Sequence, residues 1–461
     1  MKKLLLAVPL ISGLAGACWA GSTLYSGSES RDAYDRVIAD LNETLGFAVV
    51  NTDYVAGFLK SEATTQVLLT DGLSSDALFT LHHEIEHSPV STGTNAGLSA
   101  ARITTTLVTQ NNDNAPLTEA LQGFGGEQPI MLLSRVGFDG TVNNEFTIAP
   151  FEFAYSSGTE VRSEAAVWNF VVDNTGAFAG SGHWGGAVVE SPQVIVNLSQ
   201  MNDTFNYTRH STGLYQGSYE QSYAEVRLDV PDTGLGAAVS EVVMSMLSEV
   251  TQDNVSGDLI LNINGIDAPI ALDSAQFEMR VGGLGIEGIE RINALESQIL
   301  AADVSADATD TTDPQQLLKD YVNAFGALVK PGAYVGYELS LSNAGGTADS
   351  SITATFDGDD STSGYDLLTS SSATRGDLLR AIKIEVSLNA PDAALALTPV
   401  GMFIDPAMLA PFIVANASGL TSNIVVDDLV ADVNGEQMPL ELMLGEQLTM
   451  PLNLDKLIES P

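Results

Sequence analysis

The chain has 461 residues, with 18 Lys and Arg against 59 Asp and Glu, for a formal net charge of −41. That balance excludes a nucleic-acid binder and disfavours adhesion to anionic lipid, because both surfaces are held by clustered cations. A hydrophobic fraction of 44% supplies a core, and the length suits one large β domain or two to three ordinary ones.

Met1-Lys2-Lys3 opens the chain, and the run LLLAVPLISGLAGACWAGSTLYSG after it carries no charge. Such a segment is an export signal or a single membrane anchor, and Lys2 and Lys3 favour an inside N-terminus with the bulk translocated. Residues 1–27 are compatible with three fates. One is signal-peptidase cleavage at Cys18-Trp19-Ala20, and another is lipidation of Cys18 after Ala15-Gly16-Ala17. The third, preferred here, is an uncleaved anchor from Leu4 to about Leu24, with Trp19 and Tyr25 in an interfacial aromatic belt. Cys18 is the only cysteine, so the exported part has no disulfide, no cysteine nucleophile and no Cys-based zinc site.

Tyr34, Val37, Ile38, Leu41 and Leu45 recur at helical spacing, and Gly46 supplies a stop. From Phe47 to about Val230 the pattern changes to period two. Segments 129–138, 145–155, 160–172 and 186–197 alternate apolar and polar residues, which predicts antiparallel strands with one wet face. Residues 235–250 (LGAAVSEVVMSMLSEV) read as a second helix, 257–263 and 275–282 as strands, and 288–300 as a third helix. The acidic, low-complexity stretch 301–313 reads as a linker. A fourth helix comes next, capped by Asp313, started by Pro314 and completed by Gln316 at capping-box spacing. Its apolar stripe is Leu317, Leu318, Tyr321, Val322, Phe325 and Leu328. Strands resume at 333–343, 349–357, 381–389, 423–433 and 437–444, with a short helix over 405–418 opened by Asp405-Pro406. The fold class that results is mainly β (α+β): elongated antiparallel sheets with several packing helices and one N-terminal membrane or signal helix. Residues 28–300 make an N-terminal lobe and 314–461 a C-terminal lobe.

Two motifs suggest chemistry. His83-Glu84-Ile85-Glu86-His87 fits the H-E-x-x-H pattern of zinc peptidases, which needs a helix to bring both imidazoles to one face. Here Phe79, Leu81, His83, Ile85 and His87 alternate with polar neighbours, a strand pattern. On a strand the two histidines stand roughly 13 Å apart at about 3.3 Å per residue, too far for one zinc. The segment therefore reads as a polar, partly exposed strand end with His87 hydrogen-bonded locally. Gly283-Leu284-Gly285-Ile286-Glu287-Gly288 fits G-x-G-x-x-G, but no second strand ending in an acid comes after it. It reads as a tight strand-to-helix turn. Asp357-Gly358-Asp359-Asp360 begins like a calcium loop, yet Thr362 stands where the loop needs Gly and Leu368 where it needs Glu.

The order of short motifs resembles the YdgA-like family of bacterial envelope proteins. Trp19-Ala20-Gly21 with Tyr25-Ser26-Gly27 is similar to the family's Trp-x-Gly and Tyr-[Thr/Ser]-Gly near the anchor. Tyr54-x-x-Gly57 with Ser61 resembles a Tyr-x-Arg-Gly…Ser strand, with Ala56 in place of the Arg. Glu86-His87-Ser88-Pro89 resembles an Asp-His-Gly-Pro turn, and Ser134-Arg135-Val136-Gly137-Phe138 a Ser-Arg-Ile-Gly-Tyr step. Arg280-Val281-Gly282 through Glu287-Gly288, and Asn434-Gly435 with Met438-Pro439-Leu440, continue the series. The resemblance implies a periplasm-facing protein held in the inner membrane, in a family with no established activity, and it puts His83 to His87 at a strand-turn position.

Together these readings point to a non-enzymatic envelope protein, without catalytic residues, metal or cofactor, that binds a lipid or a partner chain along an apolar sheet face. The alternatives are a scaffold that binds only other envelope proteins, and a zinc hydrolase built on His83, Glu84 and His87.

Overall fold

Antiparallel strands account for most of the structure, as the period-two patterning predicts. A computed structural model describes residues 47–57, 60–69, 77–87, 90–91, 97–108, 123–126, 128–154, 158–268, 272–304, 314–358, 370, 372–395 and 411–452. The N-terminal segment 1–27, the helix read at 34–45 and residues 405–410 of the segment 405–418 lie outside these residues, as do Asp359 and Asp360. The chain divides into two compact units, Met1–Arg209 with Glu296–Asp310 and His210–Leu295 with Thr311–Pro461. The division after Arg209 falls inside the span 28–300 that the sequence presents as one lobe. Residues 305–313 of the acidic linker lie outside the described set.

The first unit contains β1 (Phe47–Val55), β2 (Lys60–Leu69), β3 (Ala77–Glu86), the short pair β4 (Val90–Ser91) and β5 (Gly97–Leu98), β6 (Ala101–Leu107), β7 (Ile130–Val136) and β8 (Val142–Ile148). It continues with β9 (Phe151–Ala154), β10 (Glu160–Ser163), β11 (Ala166–Val172), β12 (Phe178–Trp184), β13 (Ala187–Glu190), β14 (Ile195–Leu198) and β15 (Met201–Arg209). Strands β1, β2, β3, β6, β7, β8, β11, β12 and β15 succeed one another as antiparallel neighbours. Strands β9, β10, β13 and β14 form a second antiparallel run.

Alternation builds the core here. On β6 every second residue is buried, from Ala101 through Ile103 and Thr105 to Leu107. Opposite positions line up into a transverse row: Ala63, His83, Thr105, Leu132, Phe146 and Trp168. All six are buried. Burying a side chain of the size of Leu132 or Phe146 stabilises by about 1.5–3 kcal/mol relative to leaving it in water. The row ends at Gly182 and Asp203. There Trp168 Nε1 donates to Asp203 Oδ2 at 2.8 Å. The absence of a side chain at Gly182 makes this possible, because a Cβ there would collide with both the indole and the carboxylate. Burial pushes the Asp203 carboxyl above its usual range.

The second unit is a meander. Its strands are β16 (Tyr215–Val230), β17 (Leu235–Val250), β18 (Asn254–Asp267), β19 (Ser274–Gly285), β20 (Val329–Asn343), β21 (Gly346–Phe356) and β22 (Ile382–Pro391). They continue as β23 (Val414–Asn416), β24 (Gly419–Asp427), β25 (Val430–Val433) and β26 (Glu436–Pro439). Each of β16 to β22 pairs with the next in chain order, then β22 pairs with β24, β24 with β23 and β25, and β25 with β26. Helix α1 (Ile286–Val304) succeeds β19 with no intervening residue, and α2 (Pro314–Leu328) leads into β20 the same way. The short helices α3 (Arg375–Arg380), α4 (Asp392–Leu395) and α5 (Leu440–Leu444), with a 3-10 helix over Gly445–Thr449, complete the described set. Thr374 and Asp377 close α3 with a reciprocal capping box. No helix among the described residues is long and apolar enough to cross a membrane.

Three sequence readings are corrected. Residues 235–250 form a strand, not a helix. The apolar residues of that segment fit a helical stripe, but Val239, Val242 and Val243 are β-branched and ladders flank it on both sides, so neighbouring strands supply its backbone hydrogen bonds. The strand read at 437–444 stops at Pro439 and gives way to a helical turn over Leu440–Leu444. The described end of the 405–418 helix is extended, since Val414–Asn416 pairs with β24.

Replacing Gly182 with Ala should destabilise the first unit by about 1–3 kcal/mol, because the added methyl forces the Trp168 indole off its carboxylate. Urea unfolding followed by tryptophan fluorescence measures this, and an unchanged midpoint would contradict the packing described.

Candidate functional site

The histidine segment lies on β3, so its side chains alternate between two faces. His83 faces the buried side between two threonines: its Nε2 is 2.9 Å from Thr65 Oγ1 and its Nδ1 2.8 Å from Thr105 Oγ1. A neutral imidazole has one N–H and one bare nitrogen, and hydroxyls on either side can serve both. Burial holds the imidazole well below its ordinary range, at about 4. His83 is therefore a core residue, not part of a partly exposed strand end.

His87 lies just past β3, and its Nε2 is 2.8 Å from Ser61 Oγ on β2. Its partner comes from across the sheet and not from its own turn. The Gly57 N–H donates to the same Oγ at 3.1 Å. Gly57 is required there, since a Cβ would run into the Lys60 carbonyl. A Ser-His contact at this distance is the geometry of a nucleophile and its base. Here Ser61 is only 2% exposed, which makes the contact a closure between strands. Glu84 turns to the other face, where its Oε1 pairs with Lys60 Nζ at 3.1 Å. The two histidines thus serve different hydroxyls, and no group of three or more His, Cys, Asp or Glu among the described residues is placed to hold a metal ion.

The remaining motif residues are spread over the first unit. Tyr54 lies on β1 opposite Ala63. Ser134 is buried on β7 between Ile103 and Asn144, while Arg135 faces the other way, opposite Arg102. Gly137 opens the turn to β8, its N–H donating to the Thr141 carbonyl at 2.7 Å. Lys2, Lys3, Trp19, Gly21, Tyr25, Gly27 and Pro89 lie outside the described residues. The G-x-G-x-x-G segment contains the end of β19 and the start of α1, which meet between Gly285 and Ile286.

The feature that motif reasoning missed is the face of the second unit's sheet. Met246, Leu259, Met279, Tyr337, Ile352 and Val386 stand opposite one another on six successive strands. The next row on the same face holds Met244, Leu261, Phe277 and Leu339. Phe277 and Tyr337 touch across it, with ring centroids 6.2 Å apart. The opposite face carries Asp258, Arg280, Thr353 and Glu385 in one row, and Arg280 bridges to Glu338 at 3.3 Å. The apolar side is partly open: Met246 and Ile352 are 45% exposed, Tyr337 and Leu339 40%. Six strands at about 4.8 Å spacing make this row roughly 24 Å wide.

A family model described as a bacterial protein of unknown function (DUF945) matches residues 1–441. The chain belongs to that family. The match spans the same length as the ordered motifs, and the resemblance drawn from them holds. Among curated proteins and among solved structures, none matches the chain. Two of the family-like motifs, Gly57 with Ser61 and Glu86 with His87, meet at the Ser61–His87 contact.

The lowered His83 value carries a stability consequence. Below its ordinary value near 6.5 the unfolded chain takes up a proton that the folded chain refuses until about 4, so stability present above pH 6.5 is lost as pH falls to 4. That amounts to about 3 kcal/mol for a single group. His83→Gln keeps a hydrogen-bonding side chain but cannot titrate. Urea midpoints at pH 7 and pH 4.5 should therefore fall more for the wild type than for the variant, and equal falls would refute the buried neutral imidazole.

Proposed function

We propose that this protein is a non-enzymatic component of the bacterial envelope that holds acyl-chain lipid on the apolar face of its second unit's sheet. In this reading the N-terminal segment tethers it to the inner membrane and the bulk lies in the periplasm. The observation that carries the reading is the open row through Met246, Tyr337 and Ile352, backed by Leu339. Its middle strands present hydrocarbon and thioether, with the Tyr337 ring among them, and no charge. Hydrocarbon chains satisfy such a surface without leaving polar groups unpaired. Met244, Met246 and Met279 add flexible, polarisable side chains that accommodate chains of differing shape. Exposed apolar surfaces of this kind mark binding sites more often than accidents of folding.

Lipid extraction from purified full-length protein, read by mass spectrometry, tests the proposal. The wild type should carry acyl lipid in near-stoichiometric amount. Ile352→Asp, which sets a carboxylate in the middle of the face, should lower it tenfold or more while leaving the circular dichroism spectrum unchanged. Lipid-free protein that cross-links to recurrent protein partners in cells would replace this reading with the scaffold.

A further inference from the structure

The apolar face does not end where the regular register ends. Near one end of the long hairpin Ser240 pairs with Asn264, which in the β17–β18 ladder leaves Glu241 without an opposite residue on β18 and Gly265 without one on β17. Both take positive φ, 67° and 58°. One extra residue turns the alternation of a strand over, and a second on the partner restores the register. The pairs beyond the bulges bear this out. Val226, Val239 and Ile266 stand opposite one another, then Leu228 faces Ala237 and Val230 faces Leu235. The charged residues Glu225, Arg227 and Asp229 fall on the alternate positions, with Arg227 held by Asp229 at 3.0 Å. The bulge pair thus keeps apolar side chains on the same face right up to the turn.

That turn projects. The last residue of β18, Asp267, pairs with Ala238, so Leu235 to Ala237 of β17 extend past the end of β18, paired with Leu228 to Val230 of β16. Leu228 is 42% exposed and Leu235 56%. From Met246 to Leu235 the strand covers roughly 36 Å at about 3.3 Å per residue.

We propose that the β16–β17 tip is an unloading end, where acyl chains held on the sheet pass to a membrane surface of zwitterionic lipid. This rests on the lipid reading above. The continuity of the apolar side from Met246 to the tip supplies the path. Charge selects the acceptor: Glu225, Asp229 and Asp267 act on Arg227, the turn adds Asp232, and this excess of acid repels an anionic bilayer. A protruding pair of leucines is suited to enter the interface of a neutral one.

Transfer of a fluorescent phospholipid from full-length protein to phosphatidylcholine vesicles tests this. Leu228→Asp with Leu235→Asp should slow transfer tenfold or more while the amount of lipid held stays at the wild-type level, and Leu235→Phe should keep the wild-type rate. Vesicles rich in phosphatidylglycerol should receive lipid more slowly. An unchanged rate in the double Asp variant, or faster delivery to the anionic vesicles, would overturn the tip assignment and leave the binding face standing. Wild-type protein that holds no lipid at all would remove both.

Discussion

Pairing between antiparallel strands fixes which of two faces each side chain occupies, and both units are built from that constraint. In the first unit one face is buried, and a polar group on it is costly unless it finds a partner inside the sheet. His83 does so between Thr65 and Thr105, and Trp168 does so on Asp203. A side chain moved by one position would carry the whole set to the wrong side. In the second unit the same alternation separates Asp258, Arg280 and Glu385 from Met279, Tyr337 and Ile352, but the apolar side remains partly open. One rule produces a core in one case and a surface in the other.

The two motifs that point to enzymes fail for the same reason. H-E-x-x-H carries chemistry only when residues four apart share a helical face, and G-x-G-x-x-G only when a parallel strand and a second acid-bearing strand accompany it. On β3 the two histidines engage Thr65, Thr105 and Ser61, hydroxyls contributed by neighbouring strands. Between β19 and α1 the glycines let a strand pass into a helix without a loop. Residue identity without backbone period says little about chemistry.

Much of the fold was legible from alternation alone. The strands of the first unit track Val, Ile, Phe and Thr at period two, and α2 tracks its proline and apolar stripe. The segment 235–250 was not legible, because its apolar residues fit a helical stripe as well as a buried strand and only its neighbours decide between them. The apolar face was foreseen as a type of surface but not located. Its members, such as Met246, Leu259 and Tyr337, are far apart in the chain, and only the register of the meander sets them side by side. Ser61 and His87 are hidden likewise, one on β2 and the other past β3, until the ladder between those strands brings them together.

The meander carries a kinetic corollary. From β16 to β22 each strand's partner is the one made just before it, with long interruptions only between β19 and β20, where a helix pair intervenes, and between β21 and β22. Closing short loops costs little chain entropy, and domains dominated by contacts near in sequence fold fast. A sheet of this kind can assemble by adding one strand at a time to a growing edge. A chain threaded end-first through a narrow channel could begin to fold before its last residues arrive.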